Sequence, residues 1–246
     1  MTHTDLHMHT CFSDGKNTPE EMIRSAMEKG LTTVGISDHG FAPFAGYGLT
    51  RKSEVSYFTT MQALKLKYRG KIRVLCGVEL DYHAPTPTLP YDYVIGSVHF
   101  IRAGDGYIPI DESVEDLIRG AEEAFDGDRY ALVEAYFDTV ADVVNKTRAH
   151  VIGHFDLIAK FCEQSNWIDP THPRYRAAWQ KAADRLLETG VPFEINTGAI
   201  SRGYRTEPYP SAEIRAYIRE HGGKFMLSSD SHQADTVAFQ FDRWAE

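Results

Sequence analysis

The chain has 246 residues, 42% hydrophobic and 25% charged, with a formal net charge of −9. That is the composition of a globular protein with one sizeable core, and its acidic balance excludes the broad basic face that nucleic-acid binding needs. No apolar run approaches the ~20 residues of a membrane span, and the first residues lack both the basic start and the apolar stretch of a signal peptide. Cys11, Cys76 and Cys162 form no paired motif, so the expected setting is cytoplasmic, with neither disulfides nor a thiolate zinc site.

Short β-rich runs alternate with helical patterns. A strand is predicted over 4–9 and a helix over 18–30, with Thr18 as N-cap, Pro19 in the first turn and Gly30 as the stop. Next come a strand over 32–39, a loop over 41–52, a helix over 53–70 and a strand over 72–80. A proline-bearing loop over 82–92 leads into a strand over 91–100. Amphipathic helices are predicted over 113–125 and 128–146. A strand over 150–156, a helix over 172–190, a strand over 192–198 and a loop over 199–210 follow. A helix over 210–223 and a strand over 224–232 close the pattern. Alternation of this kind builds a parallel sheet, and seven repeats predict an α/β barrel close to the TIM type but one strand short. The alternative is an open, doubly wound sheet. In either arrangement the strand C-termini carry the active site.

The strand ends carry the chemistry. His7 and His9 alternate with Met8, so in a strand both imidazoles share one face, and Asp14 follows closely. The later strands deliver Asp38 and His39, Glu79, His99, His154, Glu194, and finally Asp230 with His232. Each could be a satisfied buried polar group or a cap. Together, at one edge, they predict a metal centre of imidazole and carboxylate ligands suited to zinc, manganese or iron(II). There are too many ligands for one ion, and Glu79 can bridge two.

The segments "DLHMHTCFSDG", "SDHG", "GVEL", "DYVIGSVHF", "GHFD", "EINTG" and "SSDSH" resemble, in order, the polymerase and histidinol phosphatase (PHP) superfamily. "DYVIGSVHF" and "EINTGAISRGYRTEPYP" look most like its histidinol-phosphate phosphatase branch. The resemblance covers nearly the whole chain and implies a single metallohydrolase domain over 1–246 with a distorted (β/α)7 barrel. It also implies three divalent ions. The first would be held by His7, His9, Glu79 and Asp230, the second by Glu79, His99 and His154, and the third by Asp14, His39 and His232. Asp14 stands where relatives often have histidine.

Multinuclear sites favour phosphate-ester hydrolysis, here by in-line attack of a metal-bridging hydroxide without a phosphoenzyme. Fixed positive charge for the phosphate is expected from Arg202, Arg205 and Lys160. Relatives often carry arginine near position 160. Glu194 and Asn196 are expected to orient ligands from behind, and Asp38 to orient a histidine. The expected activity is hydrolysis of L-histidinol phosphate, a small phosphate ester, with no nucleic-acid or membrane partner. The competing readings are a phosphodiesterase or exonuclease acting on nucleic acid and a non-catalytic metal-binding module.

Overall fold

The computed structural model describes residues 3–245 and orders their elements along the chain as follows. β1 (Thr4–Asp5) and α1 (Pro19–Glu28) precede β2 (Thr33–Ile36), α2 (Arg51–Lys67) and β3 (Arg73–Asp81). β4 (Tyr93–Ser97), β5 (Phe100–Ala103) and β6 (Gly106–Pro109) then lead to α3 (Val114–Ala124), α4 (Arg129–Val140) and α5 (Val143–Thr147). The last part holds β7 (Val151–Ile152), α6 (Pro173–Leu187), β8 (Phe193–Asn196), α7 (Gly198–Ser201), α8 (Ala212–Glu220), β9 (Phe225–Ser228) and α9 (Phe241–Trp244). Local chemistry sets several of these boundaries. Thr18 and Glu21 form a reciprocal capping box on α1, and Gly30 takes the left-handed conformation just beyond its end.

Seven strands form one parallel sheet in the order β1-β2-β3-β4-β7-β8-β9. Its outer members meet. Met8 bridges Ser231 in parallel, His9 N–H donates to the Ser231 carbonyl at 2.8 Å, and Ser229 N–H donates to the Asp5 carboxylate at 3.1 Å. The sheet is therefore a nearly closed, distorted α/β barrel, as the alternation predicts, rather than an open doubly wound sheet. Among the described residues no helix is long and apolar enough to cross a membrane.

The structure departs from the sequence reading in several places. The strands expected over 4–9, 32–39, 150–156 and 224–232 are shorter, at Thr4–Asp5, Thr33–Ile36, Val151–Ile152 and Phe225–Ser228, so His7, His9, Asp38, His39, His154, Asp230 and His232 lie in the segments just beyond them. The strand expected over 91–100 ends at Ser97, and the chain then enters an antiparallel hairpin in which Phe100 pairs with Pro109. Gly104, with φ +57°, makes its turn. The helix expected over 128–146 is two, because the backbone leaves helical geometry at Asp142 without a glycine or proline to announce the break. The loop expected over 199–210 begins with α7, a single helical turn.

Alternation along the extended segment that follows β1 separates two environments. Met8 is fully buried in the layer between the barrel and α1–α2, while His7 and His9 are fully buried on the barrel side. Beneath them Tyr93, Ile95 and Val151 pack with Leu6, Leu75 and Met226. Two glycines make room for Tyr93: a Cβ at Gly35 would lie 2.2 Å from its hydroxyl, and one at Gly77 would lie 2.2 Å from its ring. Gly77→Ala is therefore expected to lower stability by about 1–3 kcal/mol or more, the range for overpacking a filled core. Urea unfolding checks it, and an unchanged midpoint would show that the ring moves aside without penalty.

Candidate metal centre

The ligand-type side chains named from the sequence converge at the C-terminal edge of the barrel. Nε2 of His7, Nε2 of His9, Oε2 of Glu79 and Oδ1 of Asp230 approach one another at 3.3 to 3.8 Å. Four atoms held about 2.0–2.2 Å from a tetrahedral zinc would be about 3.3–3.6 Å apart. His7 Nε2, both ring nitrogens of His9 and Glu79 Oε2 are buried without a hydrogen bond. Buried polar atoms are costly to leave unpartnered, so this orphaned set fits a cation.

Glu79 faces a second group through its other oxygen. Oε1 lies 2.9 Å from His154 Nε2 and 3.4 Å from His99 Nε2, and it accepts from Ser97 Oγ at 2.6 Å. A third group surrounds Asp14. Its Oδ2 lies 3.3 Å from His232 Nε2 and 3.8 Å from His39 Nε2. The grouping differs from the one the resemblance implies in two respects. His9 stacks between His39 and His232, each at 4.2 Å, so it reaches the Asp14 group as well. His39 turns Nδ1 to within 2.9 Å of Glu79 Oε2, which puts it within reach of the Glu79–His99 group too.

The electrostatics follow from this crowding. Burial alone would depress the His7 imidazole, but Glu194, Glu79 and Asp230 outweigh it and hold its pKa well above the ordinary value. Burial likewise opposes His99, yet Glu79 and Asp81 bring it to about 9. His9 goes the other way, to about 3, through burial and the neighbouring His39 and His232. Burial disfavours the Glu79 carboxylate, but His7, His39 and His99 keep it ionised.

A ring of groups behind the ligands fixes their orientation. Glu194 Oε1 lies 2.6 Å from His7 Nδ1, and its Oε2 accepts from the His154 backbone at 3.0 Å and Asn196 Nδ2 at 3.1 Å. Asp230 has φ +48°, a region few non-glycine residues enter. Its Oδ2 accepts from Arg202 Nη2 at 3.1 Å and Asn196 Nδ2 at 3.3 Å, which leaves Oδ1 toward the histidines. Gly198 permits this arrangement, because a Cβ there would lie 2.8 Å from both the Arg202 guanidinium and Asp230.

Two expectations need correction. Asp38 does not hold a histidine ring. It accepts from Thr10 N–H at 2.7 Å, Thr10 Oγ1 at 2.6 Å and Ser13 Oγ at 2.5 Å, and so secures the turn that presents Asp14. Arg205 does not line the cavity. Its side chain, 5% exposed, pairs with the fully buried Asp156 at 3.3 Å and lies over the Tyr209 ring at 4.5 Å.

Arg202 and Lys160 do line it, in a cavity of about 260 Å³ that also presents Tyr47, Asp111, Glu112 and Tyr204. Arg202 Nη1 additionally meets the Asp230 carbonyl at 2.9 Å and His232 Nδ1 at 3.1 Å. Lys160 Nζ donates to the Asp111 carbonyl at 2.5 Å and lies 3.4 Å from its carboxylate. Sequence reasoning missed Asp111, Glu112, Tyr47 and Asp81. Asp81 accepts from the His99 backbone at 2.8 Å, and a signal existed in its place two residues beyond Glu79 on the same strand face. Asp111 and Glu112 had no such signal, because no element is predicted between the strand over 91–100 and the helix over 113–125.

Residues 5–198 match the PHP domain family. The chain belongs to that family. It is 29% identical to the "Probable histidinol-phosphatase" of Deinococcus radiodurans, over 96% of this chain and 89% of that one. It is 23% identical to the histidinol-phosphatase of Bacillus subtilis, over 100% of this chain and 99% of that one. Its fold matches the histidinol phosphate phosphatase of Lactococcus lactis, crystallised with zinc, L-histidinol and phosphate, at a TM-score of 0.68. That match has 22% identity and covers 95% of this chain and 87% of that one.

Proposed function

We propose that the chain is a metal-dependent phosphomonoesterase that hydrolyses L-histidinol phosphate to L-histidinol and phosphate. The observation that carries the reading is one cavity in which overlapping imidazole–carboxylate groups meet two cations, Arg202 and Lys160. Kinship with histidinol-phosphatases along the full chain supports the substrate. His7, His9, Glu79 and Asp230 would hold one divalent ion, Glu79, His99 and His154 a second, and Asp14, His39 and His232 a third, with zinc the first choice for N/O ligands of this kind. When bound, such ions supply Lewis acidity and a water acidic enough to attack near neutrality.

The remaining work falls to the chain. Arg202 offers a forked donor to phosphate oxygens beside Asp230, and Lys160 offers a point charge in place of a second fork. Asp111 and Glu112 give the cavity an acidic wall that accepts an ammonium on the alcohol portion and repels a polyanionic strand. That wall favours a small ester whose alcohol portion carries an ammonium over nucleic acid.

The test is turnover of L-histidinol phosphate beside a phosphodiester and a labelled single-stranded oligonucleotide. Only the monoester is expected to turn over, and preferential cleavage of the strand would transfer the chain to the nuclease reading. Prolonged chelation is expected to reduce turnover to background, with recovery on adding zinc or manganese, because the proposed chemistry needs the bound ions. Full activity in protein shown to be metal-free would end the proposal.

A further inference from the structure

Tyr47 stands in the loop between β2 and α2 and forms part of the cavity wall. Its ring meets His39 edge-on at 4.7 Å and lies nearly parallel to Phe100 at 6.3 Å. The loop is firmly held. Gly40 N–H donates to the Glu79 carbonyl and Leu49 N–H to the His39 carbonyl, both at 2.8 Å. Phe44 stacks on Tyr107 of β6 at 4.2 Å. Gly48 approaches so closely that a Cβ there would lie 2.5 Å from the Gly40 carbonyl.

The rest of the cavity is almost entirely charged or ligating. Its other uncharged, non-ligating side chains are Leu157 and Tyr204, and the Lys160 ammonium sits over the Tyr204 ring at 4.7 Å. Tyr47 thus offers the aromatic surface that no cation covers. Among the described residues its hydroxyl has no hydrogen-bond partner.

We propose that Tyr47 determines which alcohol the site accepts: its ring packs against a planar, unsaturated ring of the leaving group, and its free hydroxyl donates to a ring nitrogen. This rests on the phosphomonoesterase reading above and gives it a basis for choosing a heteroaromatic alcohol. An aliphatic ester such as glycerol phosphate makes neither contact, so the residue acts on the choice of substrate more than on the shared phosphate chemistry.

The experiment measures kcat/KM for L-histidinol phosphate and glycerol phosphate in wild type, Tyr47→Phe and Tyr47→Ala, each with metal quantified. Tyr47→Ala is expected to lower the ratio of the two values by about tenfold, mainly through KM for histidinol phosphate, and Tyr47→Phe by a smaller factor. L-histidinol should weaken as a product inhibitor of the alanine variant while inorganic phosphate keeps its inhibition constant. An equal fall for both esters, or a loss of metal in both variants, overturns the proposal and makes Tyr47 a support for His39. Failure of the substrate reading is visible separately, in wild type alone, as no preference for histidinol phosphate. That result removes the Tyr47 proposal as well.

Discussion

Glu79→Gln is expected to lose both metal and turnover while the protein stays folded. The substitution keeps the volume of a side chain that is 1% exposed. It replaces one carboxylate oxygen by an amide nitrogen that cannot ligate. The original carboxylate faces His7, His9 and His39 with Oε2 and His99 and His154 with Oε1. Among the described residues no other group touches so many candidate ligands, so two of the proposed ions would lose a shared partner. Changing a group that merely supports a ligand costs about 10–100-fold in affinity or activity. Loss of a bridging ligand should exceed the upper end of that range in kcat/KM. Metal analysis after dialysis and turnover at saturating zinc check it. Full metal content with near-normal turnover would remove Glu79 from the centre.

Arg202→Ala has the second largest expected effect, and two causes combine in it. The guanidinium is one of two cations at the cavity and also holds Asp230 through its carboxylate and its carbonyl. Loss of a donor aimed at a reacting oxyanion typically costs about 10²–10³ in kcat. Weaker metal binding should accompany it, because Asp230 Oδ1 is aimed by what Oδ2 accepts. Lysine restores charge without the fork and is expected to rescue only partly. Steady-state kinetics at several zinc concentrations separate the two causes: excess metal repairs the loss that runs through Asp230 and leaves the loss at phosphate. Wild-type kinetics for the alanine variant would leave Arg202 as a surface cation.

The candidate ligands were legible because they lie at the C-terminal ends of strands or a few extended residues beyond them, where a two-residue period and the parallel topology together fix direction. His7 and His9 could be put on one face, and Glu79 and His99 at one edge, before any coordinates. What was hidden depends on tertiary direction. Arg202 and Arg205 are three residues apart in one loop, yet one lines the cavity and the other is buried against Asp156. Nothing in "SRGYR" distinguishes them, because Gly203, with φ +78°, redirects the backbone between them. Asp38 was misread for a similar reason. Standing next to His39 in sequence does not place it beside that ring, since neighbours on extended backbone face opposite ways. The hairpin was lost because β4 and β5 are separated by only Val98 and His99, so one apolar run covered both.

The barrel joins its first and last strands through contacts between residues 224 positions apart. His7, His9 and Asp14 follow β1, and Asp230 and His232 follow β9. Synthesis therefore delivers His7, His9 and Asp14 long before Asp230 and His232, and the groups that need both stay incomplete until β9 has been made. Once the final strand docks, any ion that enters ties the two ends together and draws the closed ring over its opened form in proportion to the free metal concentration. Resistance to proteolysis at the seam between β1 and β9 should thus follow the cell's supply of divalent metal.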